Sequence, residues 1–186
     1  ESGTGKDLVA LAIHVGSPRR GAMFLPYNCT TTTRELADSQ LFGHRRGAYT
    51  GADEAFPGVI RSAEGGTVFL DEIGEIGRDL QPKLLRFLET GEVQPLGEAH
   101  PVRTNVRVVA ATNHDLSQLV REGRFREDLF FRLNVGLHIP PLREHPADIA
   151  DLVDMMLAKL ERKVGRRRVF APDALEALAR YPFPGN

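Results

Sequence analysis

The chain has 186 residues, a length typical of one domain with a small subdomain, and its 41% hydrophobic and 26% charged residues are typical of a soluble globular protein. No apolar run approaches the roughly 18 residues of a membrane span, and a net charge of −1 excludes nucleic-acid binding through overall positive charge. The single cysteine, Cys29, excludes an intramolecular disulfide and indicates a reducing compartment.

Strand and helix patterns alternate along the first 140 residues. In chain order they predict a helix at 6–16, a strand at 22–28, a helix at 33–43, a strand at 66–72, a helix at 79–91 closed by Gly91, a strand at 106–113, two short helices around Gly123 and a last strand at 135–140. Such alternation predicts a parallel sheet covered by helices on both faces.

From Pro141 onward the pattern is purely helical. We therefore predict an α/β subdomain at 1–140 and a partial helical subdomain at 141–186. Because "ESGTGKD" begins inside a motif and "YPFPGN" stops directly after a turn signal, we expect this chain to be a piece of a longer protein.

The sequence "SGTGKD" at 2–7 resembles a P-loop, the loop that holds the phosphates of a nucleotide. Gly3 and Gly5 let backbone N–H groups turn toward a phosphate, and the next helix adds its positive end. Lys6 would reach the β- and γ-phosphates, whereas Asp7 stands where Ser or Thr would ligate magnesium. A plain glycine-rich turn is the alternative. The candidate phosphate-binding residues are Ser2, Gly3, Thr4, Gly5, Lys6 and Asp7.

Two acids, Asp71 and Glu72, end the apolar strand "GTVFLDE". Parallel sheets bind ligands at the carboxyl ends of their strands. There Asp71 could hold Mg²⁺, and Glu72 could deprotonate a water that attacks the γ-phosphate. Acids after a strand also occur in ordinary exposed turns, but together with the P-loop they predict hydrolysis of a nucleotide.

Further polar candidates follow the next strand. Asn113 could bond the γ-phosphate or the attacking water, or it could cap the helix that follows. Arg126 and Arg132 could stabilise charge on a transferring phosphoryl group, often from a neighbouring subunit, or they could be surface residues.

The segment "GAYTGA" at 47–52 is a poor helix former, because glycine costs roughly 1 kcal/mol in a helix. It also lacks the alternation of a strand. A plain surface loop does not account for Tyr49, an aromatic residue placed between small ones.

The chain resembles the central AAA+ ATPase domain of bacterial enhancer-binding proteins, the activators of sigma-54 RNA polymerase. Its matching motifs, in chain order, are "ESGTGKD", "LFGH", "GAYTGA", "GGTVFLDEIGE", "LQPKLLRFLE", "VRVVAATN", "FREDLFFRLNV", "PPLRE" and "YPFPGN". The most specific is "GAYTGA", which is similar to the family's Gly-Ala-Phe-Thr-Gly-Ala signature with Tyr49 in the Phe position.

The resemblance implies a P-loop AAA+ parallel sheet flanked by helices, with the start of a helical lid. It also implies an ATPase that uses ATP and Mg²⁺ to remodel the sigma-54 closed complex in the bacterial cytoplasm. Asn28 would hold Glu72 away from water, and Arg126 and Arg132 would act in trans within a ring, usually a hexamer.

By the same resemblance, the loop at 47–52 is the arm that contacts sigma-54, and the loop at 94–103 supports it. Small residues would let the arm swing while the aromatic ring supplies contact area. DNA would be contacted only through a segment absent from this chain, and no membrane is involved. The arm residues are Gly47, Ala48, Tyr49, Thr50, Gly51 and Ala52.

Several positions depart from the family pattern. The stretch at 30–33 is threonine-rich, Gln40 replaces the usual Glu, and Phe183 replaces the usual Trp. The arginine that the family places after "PGN" lies beyond the chain, so we expect weak or no ATPase activity from these residues alone.

Two other functions stay open. Another AAA+ machine, such as a helicase loader or a chelatase subunit, would share the P-loop and the acids but not "GAYTGA". A nucleotide-sensing module that binds without turnover would have no need of Glu72.

Overall fold

The structure is a computed structural model that describes residues 1–31, 33–133, 135–166 and 168–186, without the side chains of Arg34 and Glu35. The chain divides into two units, a larger one of Gly5–Gly136 and a smaller one of Glu1–Thr4 with Leu137–Asn186. Among the described residues, no helix is both long and apolar enough to cross a lipid bilayer.

The larger unit contains the predicted helices and strands up to Leu133 in the predicted order, together with one further short α-helix and two further short strands. Its helices are α1 (Lys6–Val15), α2 (Arg34–Phe42), α3 (Gly58–Ser62), α4 (Gln81–Thr90), α5 (Leu116–Arg121) and α6 (Glu127–Leu133). Its strands are β1 (Phe24–Asn28), β2 (Thr67–Asp71), β3 (Glu92–Val93), β4 (Val102–Arg103) and β5 (Arg107–Ala110).

The predicted parallel sheet is confirmed. Its strands lie in the order β1-β2-β5, and both pairings are parallel, with Asn28 opposite Asp71 at the end of β1 and β2. The short strands β3 and β4, which the sequence pattern did not predict, form a separate antiparallel hairpin.

The central strand β2 is the most buried part of this sheet. Its residues Val68, Phe69 and Leu70 are buried, as is usual for a parallel strand covered on both faces. Side chains from four surrounding helices complete the core: Leu41, Phe42, Ile60, Leu84 and Leu129. Each such side chain contributes about 1.5–3 kcal/mol by leaving water.

The strand predicted at 135–140 is wrong. The chain has no regular secondary structure over these residues, and Val135 is 95% exposed. An apolar run becomes a strand only where a neighbouring backbone supplies hydrogen bonds, and Pro140 has no N–H to offer a partner. The boundary between the two units also falls inside this segment.

The smaller unit is mostly helical, as predicted. It contains α7 (Asp148–Val164) and α8 (Pro172–Ala179), together with a short 3₁₀ turn at Leu142–Glu144. The side-chain oxygen of Asn186 accepts the N–H of Leu142 at 2.7 Å, which closes the end of the chain onto this turn.

Candidate functional site

The ends of β1 and β2 form the centre of the site. Asn28 Nδ2 donates to Asp71 Oδ2 at 3.3 Å, and the N–H of Cys29 donates to the Asp71 carbonyl oxygen at 3.0 Å. The resemblance implies a contact from Asn28 to Glu72. In the described part of the chain the Asn28 amide is bonded to Asp71 instead.

Glu72 is held in an unusual backbone conformation directly after β2. Its φ of 52° and ψ of 48° lie in the left-handed region, which costs a non-glycine residue of order 1 kcal/mol or more. The N–H of Glu72 donates to Asp71 Oδ1 at 3.0 Å, and this hydrogen bond offsets part of the cost of the left-handed backbone. The strained turn ends β2 at Asp71 and places Glu72 directly after it.

Asn113 reaches the same edge from the neighbouring strand. The N–H of Ala111 donates to the Leu70 carbonyl at 2.8 Å, which continues the pairing of β5 with β2 beyond the strand. The N–H of Asn113 then donates to Glu72 Oε2 at 3.1 Å. The structure therefore brings Asn113 and Glu72 into direct contact.

The alternative role of Asn113 as a helix cap is wrong. Asp115 occupies the cap of α5, and its side chain accepts the N–H groups of Ser117 at 2.9 Å and Gln118 at 3.2 Å. Asn113 is thereby left at the sheet edge, next to the carboxylate of Glu72.

Helix α1 carries the lysine of the predicted P-loop. The helix packs on β2, and buried His14 near its end bonds Thr67 at the start of β2, with Nδ1 and Oγ1 2.9 Å apart. A helix that covers a parallel sheet runs roughly antiparallel to the strands, and eight helical steps and four strand steps both span about 12–13 Å, so we infer that the other end of α1 lies toward the carboxyl edge of the sheet. Lys6 and Asp7 lie at that end, after Gly5 with its φ of 78°.

The first four residues belong to the smaller unit. Gly3 has a φ of 77°, and a Cβ there would lie 2.6 Å from the Gly185 carbonyl oxygen, so only glycine fits. Asn186 donates to the Ser2 carbonyl at 2.8 Å. Arg143 donates to the Glu1 carboxylate, and this hydrogen bond lowers the pKa of Glu1 to about 2.

The two candidate arginines are engaged elsewhere in the larger unit. Arg126, just before α6, donates to the Asp128 carboxylate at 3.0 and 2.7 Å. Arg132 donates to the Leu88 carbonyl at 3.2 and 2.8 Å. Among the described residues, neither bonds the polar groups at the sheet edge.

The "GAYTGA" segment is a closed loop. The N–H of Gly47 donates to the Ala52 carbonyl at 2.8 Å, and the N–H of Ala52 donates to the Tyr49 carbonyl at 3.0 Å. Ala52 is buried, whereas Thr50 and Gly51 are exposed. The Tyr49 ring packs edge-on against His44 with centroids 5.2 Å apart, so the aromatic lies against the body of the unit.

The loop at 94–103 contacts the base of the arm. The N–H of Leu96 donates to the Gly43 carbonyl at 2.9 Å, and the Leu96 carbonyl accepts the N–H of Arg45 at 3.0 Å. Gly97 approaches Ala48 so closely that a Cβ on Gly97 would lie 3.1 Å from the Ala48 Cβ. The two loops therefore form one packed structure.

Cys29 lies at the sheet edge, and its thiol is expected to be unreactive. Burial, followed by the negative charges of Asp71 and Glu72, raises the pKa of its thiol to about 12. The thiol therefore stays protonated at neutral pH and is a poor nucleophile.

Sequence reasoning missed three side chains that fix the site. Thr30 donates twice to Asn28 Oδ1, and Ser39 and His44 bond each other beside Tyr49. An Asn followed closely by Thr is a turn signal, but the pattern does not say what the amide contacts.

Two family profiles together match nearly the whole chain. The profile described as "Sigma-54 interaction domain" matches residues 1–138, and the "AAA+ ATPase lid domain" matches residues 143–186.

Individual relatives agree with these profiles. The Nif-specific regulatory protein of Azotobacter vinelandii is 50% identical over 187 residues, which cover 100% of this chain and 36% of the relative. Crystal structures of NtrX from Brucella abortus, in complex with ADP and with ATP, align with TM-scores of 0.90 and 0.88 at 35% identity. They cover 100% of this chain and 41% and 42% of theirs, so the chain spans less than half the length of these relatives. The chain belongs to the sigma-54 interaction domain family and has the AAA+ fold with its lid domain, as its motifs predicted.

Proposed function

We propose that the protein containing this chain hydrolyses ATP and uses the cycle to remodel the closed complex of sigma-54 RNA polymerase. The observation that carries the proposal is the meeting of Asp71, Glu72 and Asn113 at the carboxyl edge toward which α1 is directed. The ADP and ATP complexes of NtrX support a nucleotide as the ligand.

The phosphates would bind at the amino end of α1. Exposed N–H groups and the helix dipole favour an anion there, and Lys6 would contact the β- and γ-phosphates. Asp7 follows Lys6 in the first turn. Ser2, Gly3 and Thr4 are proposed as phosphate-binding residues from their place in the P-loop motif alone.

Asp71 has the chemistry to hold Mg²⁺. Magnesium in nucleotide sites is commonly bound by one or two carboxylates together with the phosphates, and Asp71 is a carboxylate at the edge where phosphates would lie. Each oxygen of Asp71 accepts one hydrogen bond in the structure and retains a further lone pair. The ion would neutralise charge on the phosphates.

Glu72 would act as the general base. Its Oε2 accepts the N–H of Asn113, which orients the carboxylate without neutralising it. An oriented carboxylate can take a proton from a water that attacks the γ-phosphate. The Asn113 side chain, at the same edge, would bond that phosphate or the water.

Turnover would be communicated to the arm at 47–52. Loss of the γ-phosphate changes the state of the arm only if it removes contacts that favour one arm position. Asn28 bonds Asp71 and is therefore placed to report a change at the phosphates. The proposed arm carries Tyr49 and Thr50 as its contact residues for sigma-54.

A ring of several subunits, six by analogy with the family, would complete the site, with Arg126 and Arg132 donated to a neighbour. Both arginines have exposed side-chain surface in the single chain.

We assign residues 1–140 to the nucleotide-binding subdomain and 141–186 to the lid. We also propose that the protein acts in the bacterial cytoplasm.

A nucleotide-dependent pull-down tests this proposal. The protein containing this chain is mixed with sigma-54 in the presence of ADP and aluminium fluoride, a mimic of the hydrolysis transition state. We expect sigma-54 to be retained with the mimic and lost with ADP alone. Tyr49→Ala, which removes the ring, should abolish retention while leaving nucleotide binding intact.

Two results would contradict the proposal. Equal retention of sigma-54 with and without the mimic would show that the arm does not respond to nucleotide. Binding of ATP without measurable release of phosphate would instead indicate a nucleotide-sensing module.

A further inference from the structure

We propose that Thr30 is a positioning residue that fixes the Asn28 amide so that its NH₂ group faces Asp71. The inference rests on the proposed function of this edge as a nucleotide site. Thr30 lies in the threonine-rich stretch at 30–33, where the chain departs from the family pattern.

Thr30 makes two hydrogen bonds to the same atom. Its backbone N–H lies 2.8 Å from Asn28 Oδ1, and its hydroxyl lies 2.7 Å from that oxygen. An amide oxygen can only accept, so Thr30 is the donor in both.

The two donors leave one orientation for the amide. With Oδ1 held by Thr30, Nδ2 faces Asp71 Oδ2 at 3.3 Å. A flipped amide would place its NH₂ group against the two Thr30 donors and its oxygen against the Asp71 carboxylate. Both contacts would be repulsive, so Thr30 selects the rotamer that bonds Asp71.

Hydrogen bonds also fix the backbone beside Asn28 and Asp71. The hydroxyl of Thr31 donates to the Asn28 carbonyl at 2.9 Å, and the N–H of Cys29 donates to the Asp71 carbonyl at 3.0 Å. The turn after β1 is therefore built from threonine hydroxyls and strand pairing. Asn28 cannot leave Asp71 by rotating its amide unless the Thr30 bonds break.

The consequence concerns both acids of the site. In the structure Asn28 is bonded to Asp71, and Glu72 accepts the N–H of Asn113. Any movement of Asn28 toward Glu72 must first break the two Thr30 contacts. Thr30 thus strengthens the hydrogen bond from the Asn28 amide to Asp71.

The matched variants are Thr30→Val and Thr30→Ser. Valine has the shape of threonine without the hydroxyl, whereas serine keeps the hydroxyl, and Thr30 is exposed, so neither change creates a core cavity. The first measurement is the NMR signal of the Asn28 side-chain NH₂ group in the nucleotide-free protein.

We expect Thr30→Val to shift or broaden the Asn28 NH₂ signals and Thr30→Ser to restore them. In steady-state hydrolysis, kcat should fall by about threefold or more in Thr30→Val while the KM for ATP stays within about twofold, because Asp71 loses an ordered partner. Thr30→Ser should recover kcat.

An unchanged Asn28 signal in Thr30→Val would overturn the proposal, as would a serine variant that behaves like the valine variant. The NMR readout needs no nucleotide turnover. A wild-type protein without ATPase activity would therefore contradict the proposed function while leaving the test of Thr30 intact.

Discussion

The hydroxyl of Tyr49 lies 3.4 Å from the hydroxyl of Ser39, so the aromatic of the arm is tied to α2. Ser39 Oγ lies 2.7 Å from His44 Nδ1, and His44 Nε2 lies 3.0 Å from the Glu54 carbonyl oxygen. Because a carbonyl only accepts, Nε2 carries a proton. In the neutral ring Nδ1 then accepts from Ser39, whose oxygen is left to accept from Tyr49.

This chain of hydrogen bonds predicts the effect of Tyr49→Phe. The variant keeps the ring on His44 and loses only the hydroxyl contact, so the free energy of unfolding should change by less than about 1 kcal/mol. Amide hydrogen exchange at 47–52 should become faster, because one tie to α2 is gone.

Ser39→Ala is the companion variant, because it removes the other end of the same contact together with the Ser39–His44 hydrogen bond. It should speed exchange over the same residues. If neither variant changes exchange at 47–52, the Tyr49–Ser39 contact does not restrain the arm.

Any side chain added at Gly66 is expected to lower the stability of the fold by a steric clash. A Cβ at this position would collide with the carbonyl oxygen of Met23, a backbone atom that cannot rotate away. Gly66 also accepts the N–H of Arg107 at 3.0 Å, so it is fixed from both neighbouring strands. Gly66→Ala should destabilise the larger unit by about 1–3 kcal/mol, measured by urea unfolding.

Gly21→Ala is the control for Gly66→Ala. A Cβ on Gly21 would meet nothing within 4 Å, so that variant should be neutral or slightly stabilising. Equal stability of the two variants would show that β1 and β2 separate readily to admit a methyl group.

The parts of the fold that the sequence predicted are those with a local signal. Helix α4 shows helical apolar spacing and ends where Gly91 adopts a φ of 71°, as its position predicts. Helix α3 has only five residues, and β3 and β4 have two each, too short to show a period. The segment at 135–140 has the composition of a strand, but strand pairing depends on residues far away in the chain.

The candidate site shows the same difference between features with a local sequence signal and features that depend on distant residues. The positions of Asp71 and Glu72 could be predicted, because the end of a buried strand is visible in the sequence. The bond from Asn28 to Asp71 could not, since it depends on which way an amide turns. That orientation is set by Thr30, whose role no periodicity reports.

The raised pKa of the Cys29 thiol predicts that the reactivity of this thiol and the stability of the fold depend on pH. Burial and the charges of Asp71 and Glu72 raise its pKa to about 12 from the ordinary 9.0, so between these values the folded chain binds a proton that the unfolded chain releases. This group's contribution to stability is therefore fully present below pH 9 and is lost as the pH rises toward 12.

Alkylation by iodoacetamide at pH 8 checks the Cys29 prediction. A thiol with the raised pKa has about a thousandfold less thiolate than an ordinary one, so the folded protein should react at least about tenfold more slowly than the urea-unfolded protein. Similar rates in the two states would show that the thiol ionises normally at the sheet edge.

Glu72→Gln tests the general base directly. Glutamine keeps a side-chain oxygen that can accept the N–H of Asn113, so the local geometry should survive, but it cannot take a proton from water. We expect phosphate release by the protein containing this chain to fall by about 10²–10⁴-fold, while the Kd for fluorescent ATP stays within about threefold. Asp115→Asn, which alters the cap of α5 outside the acid pair, should leave turnover near the wild-type rate. If Glu72→Gln retained most of its turnover with normal binding, another group would have to accept the proton, and the strained turn at Glu72 would need a different explanation.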